Sequence, residues 1–191
     1  MTCTKGLTIG IAGGSGSGKT HLSLLLKDGL KDKNVLILHT DRYYKAQRPV
    51  MKAPFSNKTY EDFNHPDGVD IQRLCAEYQA AREGNEFDLI IIEGFLLLHF
   101  DELREWLDLK VYVDCRADER MIRRTGWFLS KGYSYEETVQ EYLDLVRFRH
   151  DEYVEPTKWH ADIIINGSTG PHKGAELILV WIEHRLLPGN E

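Results

Sequence analysis

The chain has 191 residues and a formal net charge of −6, from 24 lysines and arginines against 30 aspartates and glutamates. This length suits one domain with a substantial core, and we expect a single domain over residues 1–191. The acidic balance argues against a nucleic-acid partner bound through a broad basic surface.

Membrane and extracellular locations are also disfavoured. No run of about 18 apolar residues is present to span a bilayer, and residues 1–7 contain no apolar signal core. The cysteines Cys3, Cys75 and Cys115 are scattered and form no C-x-x-C pair, so we expect unpaired thiols and no zinc site. We therefore expect a cytoplasmic protein without a membrane partner.

The first apolar run leads directly into a glycine-rich segment. Residues 13–20 match the phosphate-loop pattern G-x-x-x-x-G-K-[ST] at every fixed position. Glycines let backbone N–H groups approach a polyphosphate closely. We expect Lys19 to reach the β- and γ-phosphates and the Thr20 hydroxyl to ligate Mg²⁺. The predicted ATP-binding residues of this loop are Gly13, Gly14, Ser15, Gly16, Ser17, Gly18, Lys19 and Thr20.

Leucines at helical spacing follow the loop, which therefore opens a helix whose N-terminus favours an anion. The alternative is a flexible glycine-serine linker. A linker would not lie between a strand-like run and an amphipathic helix. The sequence thus predicts that the chain binds a nucleoside triphosphate.

Apolar runs recur along the chain, and most are continuous rather than alternating. Continuous runs are typical of strands buried on both faces of a parallel sheet, and the helical patterns between them predict a doubly wound α/β fold. The predicted strands are residues 7–12, 35–39, 89–92, 111–113 and 162–165. Ligands in such folds bind at the carboxyl ends of the strands, so the residues just past each run are candidates for the site.

Two acids lie at such strand ends. Asp41 follows the second predicted strand and is either a general base or a metal-associated carboxylate, with a local turn or cap as the alternative. Glu93 ends the third predicted strand, where phosphate-loop proteins keep the carboxylate that orders Mg²⁺ or its waters. We favour a metal-associated role for Glu93, and the sequence leaves the alternatives for Asp41 open.

Further segments include a loop and three helices. Residues 48–68 contain three prolines and several aromatic residues, and we predict a functional loop there, followed by a helix over residues 71–82. Residues 115–130 read as a helix carrying Arg120, Arg123 and Arg124 with Trp127 on a shared side. Such arginines are either a solvated basic face or part of a lid, about residues 116–134, that neutralises phosphate oxygens. The capping box at residues 134–137 predicts a further helix to about residue 152.

Together these residues resemble the uridine kinase family of phosphate-loop nucleoside kinases. The phosphate loop alone is shared by many enzymes, whereas the later segments are more specific to this family. The resemblance covers nearly the whole chain. The matching segments are residues 13–20, 41–45, 63–68, 92–97, 123–124, 153–158 and 161–165.

The resemblance implies a phosphate-loop fold with a five-stranded parallel sheet flanked by helices, which transfers the γ-phosphoryl of ATP to the 5′-hydroxyl of a nucleoside with Mg²⁺. It implies that Asp41 takes the hydroxyl proton, that Glu93 and Thr20 lie near Mg²⁺, and that Lys19 and the lid residue Arg124 hold the phosphates. Arg120 is assigned to ATP as well. The residues assigned to the acceptor are Asp41, Tyr43, Tyr44, Phe63, Asn64, Asp67 and Trp127.

Three departures from the family pattern concern the acceptor. Pyrimidine kinases of the family carry a hairpin between the His-Pro-Asp segment and the Glu-Gly strand, for which residues 71–88 are too short. Their lids also carry further arginines, and Asn64 stands where the family usually has an aspartate. The shortened insertion is similar to the one in nicotinamide riboside kinases.

Three readings of the function therefore stay open. The first is a uridine- or cytidine-kinase-like enzyme, and the second is a kinase of nicotinamide riboside or another ribosyl compound. The third, of another class, is a nucleotide-binding switch or slow ATPase. A homo-oligomer is left open as well.

Overall fold

A parallel β-sheet forms the centre of the structure, a computed structural model that describes residues 6–187. Its five strands are β1 Leu7–Ala12, β2 Val35–His39, β5 Leu89–Glu93, β6 Leu109–Asp114 and β7 Ile163–Asn166. The strands β3 Val50–Lys52 and β4 Thr59–Glu61 form a separate small hairpin. The five-stranded sheet has the order β2-β5-β1-β6-β7, and every neighbouring pair is parallel. The carboxyl ends of all five strands therefore meet at one edge.

Helices connect the strands and cover both faces of the sheet. They are α1 Lys19–Gly29, α2 Ile71–Gly84, α3 Asp101–Arg104, α4 Ala117–Ser130, α5 Tyr135–Glu141, α6 Arg147–Arg149 and α7 His172–Leu186. The π-helical turns Tyr142–Val146 and His150–Val154 join α5 and α6 into one helical segment over residues 135–154. Short 3₁₀ turns cover Thr40–Arg42, Pro66–Gly68, Leu97–His99 and Glu155–His160.

The core lies on both faces of the sheet because its central strands are apolar on both sides. Every residue of β1 and β5 is buried. On one face, Leu22 and Leu26 of α1 pack with Ile178 and Ile182 of α7. On the other face, a second cluster includes Leu74 of α2. Each fully buried aliphatic side chain contributes about 1.5–3 kcal/mol through burial, so the two clusters fix the sheet between its helical layers.

The predicted α/β architecture with five parallel strands is confirmed, and the strand positions agree within three residues. The predicted helix over residues 71–82 is observed as Ile71–Gly84. The capping box is present as well, because the Ser134 side chain accepts a hydrogen bond from the backbone N–H of Glu137 at 3.2 Å.

One element was missed. Residues 48–68, predicted as a loop, contain the antiparallel hairpin of β3 and β4. Each of these strands has three residues and exposes its two ends, so neither produces an apolar run. Asn57 adopts a φ of 58° in the connection, a conformation that asparagine tolerates better than most residues. Such short, solvated strands carry almost no periodic signal.

Within residues 6–187, none of the helices combines the length and apolar character that crossing a bilayer requires. Cys75 is half-buried and Cys115 is buried, and both are free thiols. Cys3 lies outside the described residues.

Candidate active site

The phosphate loop joins β1 to α1 at the carboxyl edge of the sheet. Its glycines Gly13, Gly16 and Gly18 have φ values of 136°, 81° and 105°, which side chains with a Cβ rarely adopt. Lys19 is buried at the start of α1, and its ammonium group donates a hydrogen bond to the Gly14 carbonyl at 3.1 Å. The loop thus curls around the lysine and directs the N-terminus of an 11-residue helix toward the same space.

The charge of Lys19 is balanced by two acids. Burial lowers the pKa of the Lys19 ammonium, while the carboxylates of Glu93 and Asp41 oppose this shift. The two acids predicted at strand ends therefore both act on the phosphate-loop lysine. Lys19, Glu93 and Asp41 share one electrostatic environment, and the structure brings together the residues that the sequence placed far apart.

Thr20 and Glu93 are directly hydrogen-bonded, with 2.9 Å between Thr20 Oγ1 and Glu93 Oε1. A third residue, His39, was missed by sequence reasoning. It is the last residue of β2, pairs in register with Glu93, and places its Nδ1 2.6 Å from Glu93 Oε1. The signal available in the sequence was its position at the end of a predicted strand next to the strand that ends in Glu93.

The turn that carries Asp41 is pressed against the end of β5. A Cβ on Gly94 would lie 1.7 Å from Thr40 Oγ1, so only glycine lets this turn approach so closely. Thr40 is buried in the contact, whereas Asp41 is exposed in the following position. Glycine at position 94 is thus what allows Asp41 to stand next to the strand end that bears Glu93.

Arg120, at the start of α4, packs onto the phosphate loop. Its Nε donates to the Cys115 carbonyl at 3.0 Å, and a Cβ on Gly14 would lie 2.5 Å from its Nη1. The residue is 5% exposed, and within residues 6–187 its Nη1 has no hydrogen-bond partner. A buried guanidinium nitrogen without a partner, beside a phosphate loop, is suited to an anionic ligand.

Arg124 is placed differently from its predicted role. Its Nη2 lies 2.8 Å from Glu141 Oε2, its Nη1 donates to the Thr138 carbonyl at 3.4 Å, and its guanidinium lies over the Phe128 ring. The side chain is 7% exposed. It therefore ties α4 to α5, because an acid 17 residues further along the chain neutralises it, and the phosphate contact that the lid hypothesis expects stays a prediction.

The other lid residues lie on the outside of α4. Trp127 is 57% exposed beside Lys131, so its ring is accessible. Arg123 donates to the carbonyls of Gly167 and Ser168, at 2.9 and 3.2 Å, and anchors α4 to the turn after β7. Of the arginines in this helix, Arg120 is the one that contacts the phosphate loop.

The acceptor-side residues form a second group around Phe63. The Phe63 ring is 37% exposed and meets the Tyr44 ring edge-on at 5.1 Å. The Arg48 guanidinium lies 4.3 Å from the Phe63 ring centre on another side. Burial and the nearby Asp41 carboxylate raise the pKa of the Tyr44 hydroxyl, so this group lies near Asp41.

Two predicted acceptor residues are accessible and one is not. Asn64 is half-buried and Asp67 is exposed in the turn that follows Phe63. Tyr43, by contrast, is 3% exposed and belongs to the core cluster that includes Leu74. A direct substrate contact by the Tyr43 side chain therefore does not agree with the structure. The side chains of two adjacent residues point in different directions, and the sequence alone did not show which of the two tyrosines points inward.

Comparisons with known proteins give the family of the chain. The model of the phosphoribulokinase / uridine kinase family matches residues 79–170. A uridine kinase from Geobacillus sp. (strain WCH70) is 33% identical over 201 residues, which cover 93% of this chain and 94% of that protein. A uridine kinase from Bacillus subtilis (strain 168) is 33% identical over 200 residues, which cover 93% of each chain.

A solved structure of a possible uridine kinase from Bacillus stearothermophilus superposes with a TM-score of 0.55. It shares 21% sequence identity, over 83% of this chain and 88% of that one. At this identity the likeness concerns the fold alone, and the phosphate-loop architecture is common to both.

Proposed function

This chain belongs to the phosphoribulokinase / uridine kinase family and is therefore a kinase, and from that premise we propose that it transfers the γ-phosphoryl group of ATP to the 5′-hydroxyl of a nucleoside. The observation that carries the proposal is the meeting of Lys19, Thr20, Glu93 and Asp41 at the carboxyl ends of β1, β2 and β5. Phosphoryl transfer depends mainly on positioning and on charge neutralisation, and these residues suit both tasks.

The residues present fit Mg²⁺. This ion prefers oxygen ligands, and the Thr20 hydroxyl lies beside the Glu93 carboxylate. His39 and Thr20 both contact Oε1 of Glu93, and no hydrogen bond within residues 6–187 reaches Oε2. Thr20 and Glu93 would hold the ion, directly or through water. When bound, it neutralises charge on the β- and γ-phosphate oxygens.

The chain's own groups perform the remaining work. Lys19 and the loop N–H groups bind the triphosphate, and the free Nη1 of Arg120 donates to it. Asp41 orients the acceptor hydroxyl and accepts its proton while the new O–P bond forms and the bond to ADP breaks. Arg124 can take part only if its guanidinium leaves Glu141 and binds phosphate oxygens instead. We assign this movement to the lid.

One observation favours a ribosyl acceptor other than a pyrimidine nucleoside. Helix α2 runs to Gly84, turns at Asn85 with a φ of 49°, and leads directly into β5. Between residues 68 and 89 no strand is observed, so no hairpin is available to read a pyrimidine edge. We therefore propose nicotinamide riboside as the second candidate acceptor.

The test is ADP formation with uridine, cytidine, adenosine, guanosine and nicotinamide riboside, with the 5′-phosphate product identified by mass spectrometry. We expect at least one of these acceptors to stimulate ADP formation and to yield its monophosphate. ATP hydrolysis that none of them stimulates would instead support a nucleotide switch or slow ATPase.

A further inference from the structure

The segment that carries Phe63 and Asn64 is attached at both ends to one helical turn. On its N-terminal side, Arg149 Nε lies 2.6 Å from Asp62 Oδ2. On its C-terminal side, the Tyr153 hydroxyl lies 3.0 Å from His65 Nε2. Arg149 and Tyr153 are four residues apart, so one side of the helical segment over residues 135–154 reaches both contacts.

Asp62 is the inner anchor of this segment. Its side chain is fully buried, and a buried carboxylate needs both a charge partner and hydrogen bonds. Arg149 supplies the charge, while Asp62 Oδ1 accepts a hydrogen bond from the backbone N–H of Asn64 at 3.0 Å. The same carboxylate thus fixes the chain turn at Asn64 and binds that turn to the helix.

His65 is fixed in its tautomer as well as its position. Its Nδ1 accepts a hydrogen bond from the backbone N–H of Asp67 at 3.1 Å. The ring proton of the neutral imidazole therefore sits on Nε2, which donates to the Tyr153 hydroxyl. The two rings also meet edge-on, with 5.0 Å between their centres.

Phe63 and Asn64 lie between these two anchors and are the part that remains accessible. Tyr44 and Arg48 contact Phe63 from the protein side. Phe63 meets the ring of Tyr44, which lies three residues after Asp41 in the chain, so the exposed part of Phe63 lies on the side of the site that we assign to the acceptor.

We propose that Arg149 and Tyr153 are positioning residues for the acceptor, holding Phe63 and Asn64 in place without touching the substrate. The proposal rests on the proposed nucleoside kinase function. Phe63 and Asn64 would bind the nucleoside, and any freedom of their segment would have to be lost on binding, at a cost in acceptor affinity. The two-point attachment removes that freedom from the segment before the acceptor binds.

The test compares Tyr153→Phe with the matched control Tyr60→Phe. The Tyr60 hydroxyl also bonds to the helical segment, at 2.7 Å from Asp144 Oδ2, but Tyr60 is not part of the 62–65 segment. We expect Tyr153→Phe to raise the acceptor KM by up to about tenfold, with kcat and the ATP KM little changed. Tyr60→Phe should lower thermal stability comparably while leaving the acceptor KM unchanged.

A second measurement is independent of activity. In Tyr153→Phe and in the double variant Asp62→Asn/Arg149→Gln, the amides of residues 63 and 64 should exchange hydrogen faster than in the wild type, while those of β1 should not. The double variant removes both charges together, so no buried charge is left unpaired.

Unchanged exchange at residues 63 and 64 in both variants would overturn the positioning role. So would an unchanged acceptor KM in an active Tyr153→Phe enzyme. A wild type that phosphorylates no nucleoside contradicts the proposed function, and the exchange measurement still decides whether Arg149 and Tyr153 hold the segment.

Discussion

His39 and Glu93 face each other from neighbouring parallel strands, with 2.6 Å between His39 Nδ1 and Glu93 Oε1. This contact fixes one carboxylate oxygen, and we propose that the other is the one that faces a metal ion or its waters. We expect His39→Ala to raise the Mg²⁺ concentration at half-maximal activity on the order of tenfold, because a hydrogen bond to a charged group is lost.

The measurement is a Mg²⁺ titration of both activity and the binding of a non-hydrolysable ATP analogue. His160→Ala, at an exposed position, is the control. An unchanged Mg²⁺ requirement in His39→Ala would show that Glu93 keeps its orientation without the histidine.

Lys19→Ala should abolish phosphate transfer because we assign its ammonium group to the β- and γ-phosphates. Thermal stability without nucleotide should change little, since the Lys19 side chain makes a single hydrogen bond within residues 6–187, to the Gly14 carbonyl. Lys27→Ala, exposed in the same helix, should keep both activity and stability. Near-normal turnover of Lys19→Ala would contradict the phosphate-loop assignment.

The variant Asp41→Asn distinguishes two roles of Asp41, a general base and a metal-associated carboxylate. If Asp41 accepts the acceptor's proton, kcat should fall by about 10²–10⁴ while ATP binding stays nearly unchanged. Single-turnover transfer to the best acceptor, alongside ATP binding, measures both quantities, with the exposed Asp28→Asn as control. A wild-type transfer rate together with weakened binding of ATP and Mg²⁺ would instead identify Asp41 as a metal-associated carboxylate.

His150 predicts a pH dependence of stability. Burial, and then the nearby Arg120 guanidinium, lower the pKa of His150 from 6.5 to about 4, against the opposing carboxylates of Glu155 and Asp151. Between these values the unfolded chain binds a proton that the folded chain does not, so stability falls as pH drops from about 6.5 to 4.

The size of this effect is about 3 kcal/mol at most, from the difference between the two pKa values. Denaturant unfolding at a series of pH values measures it, and His150→Gln should flatten the dependence in that window. If the free energy of unfolding of His150→Gln depends on pH as steeply as that of the wild type, other groups cause the dependence.

Selectivity for pyrimidines should be weak, because no hairpin between α2 and β5 presents polar groups to a base edge. Stacking on Phe63 or Trp127 tolerates different bases, whereas buried hydrogen-bonding groups reject analogues strongly. Ratios of kcat/KM for uridine over purine nucleosides and nicotinamide riboside should stay below about 10⁴. A larger ratio would require a polar base contact that these residues do not provide.

Much of this molecule could be predicted because its signals are local. The runs that became β1, β2 and β5 are mostly apolar, and the phosphate loop and Glu93 follow the first and the third of them directly. The rest depends on contacts between distant positions. Arg124 pairs with Glu141, and Arg149 reaches Asp62 across 87 positions. No spacing rule links such pairs, so the lid orientation and the anchoring of Phe63 became visible only in the folded chain.

The strand order has a consequence for synthesis on the ribosome. β1 is made first, yet its neighbours are β5 and β6, with Leu7 paired to Leu89 and Ile9 to Leu109. Both edges of β1 therefore stay unpaired until residues through Glu93 have emerged, and the edge that faces β6 stays unpaired until Asp114. A peptide that stops short of β6 should be unable to bind ATP even though it contains every residue of the phosphate loop, and it should depend on chaperones during that interval.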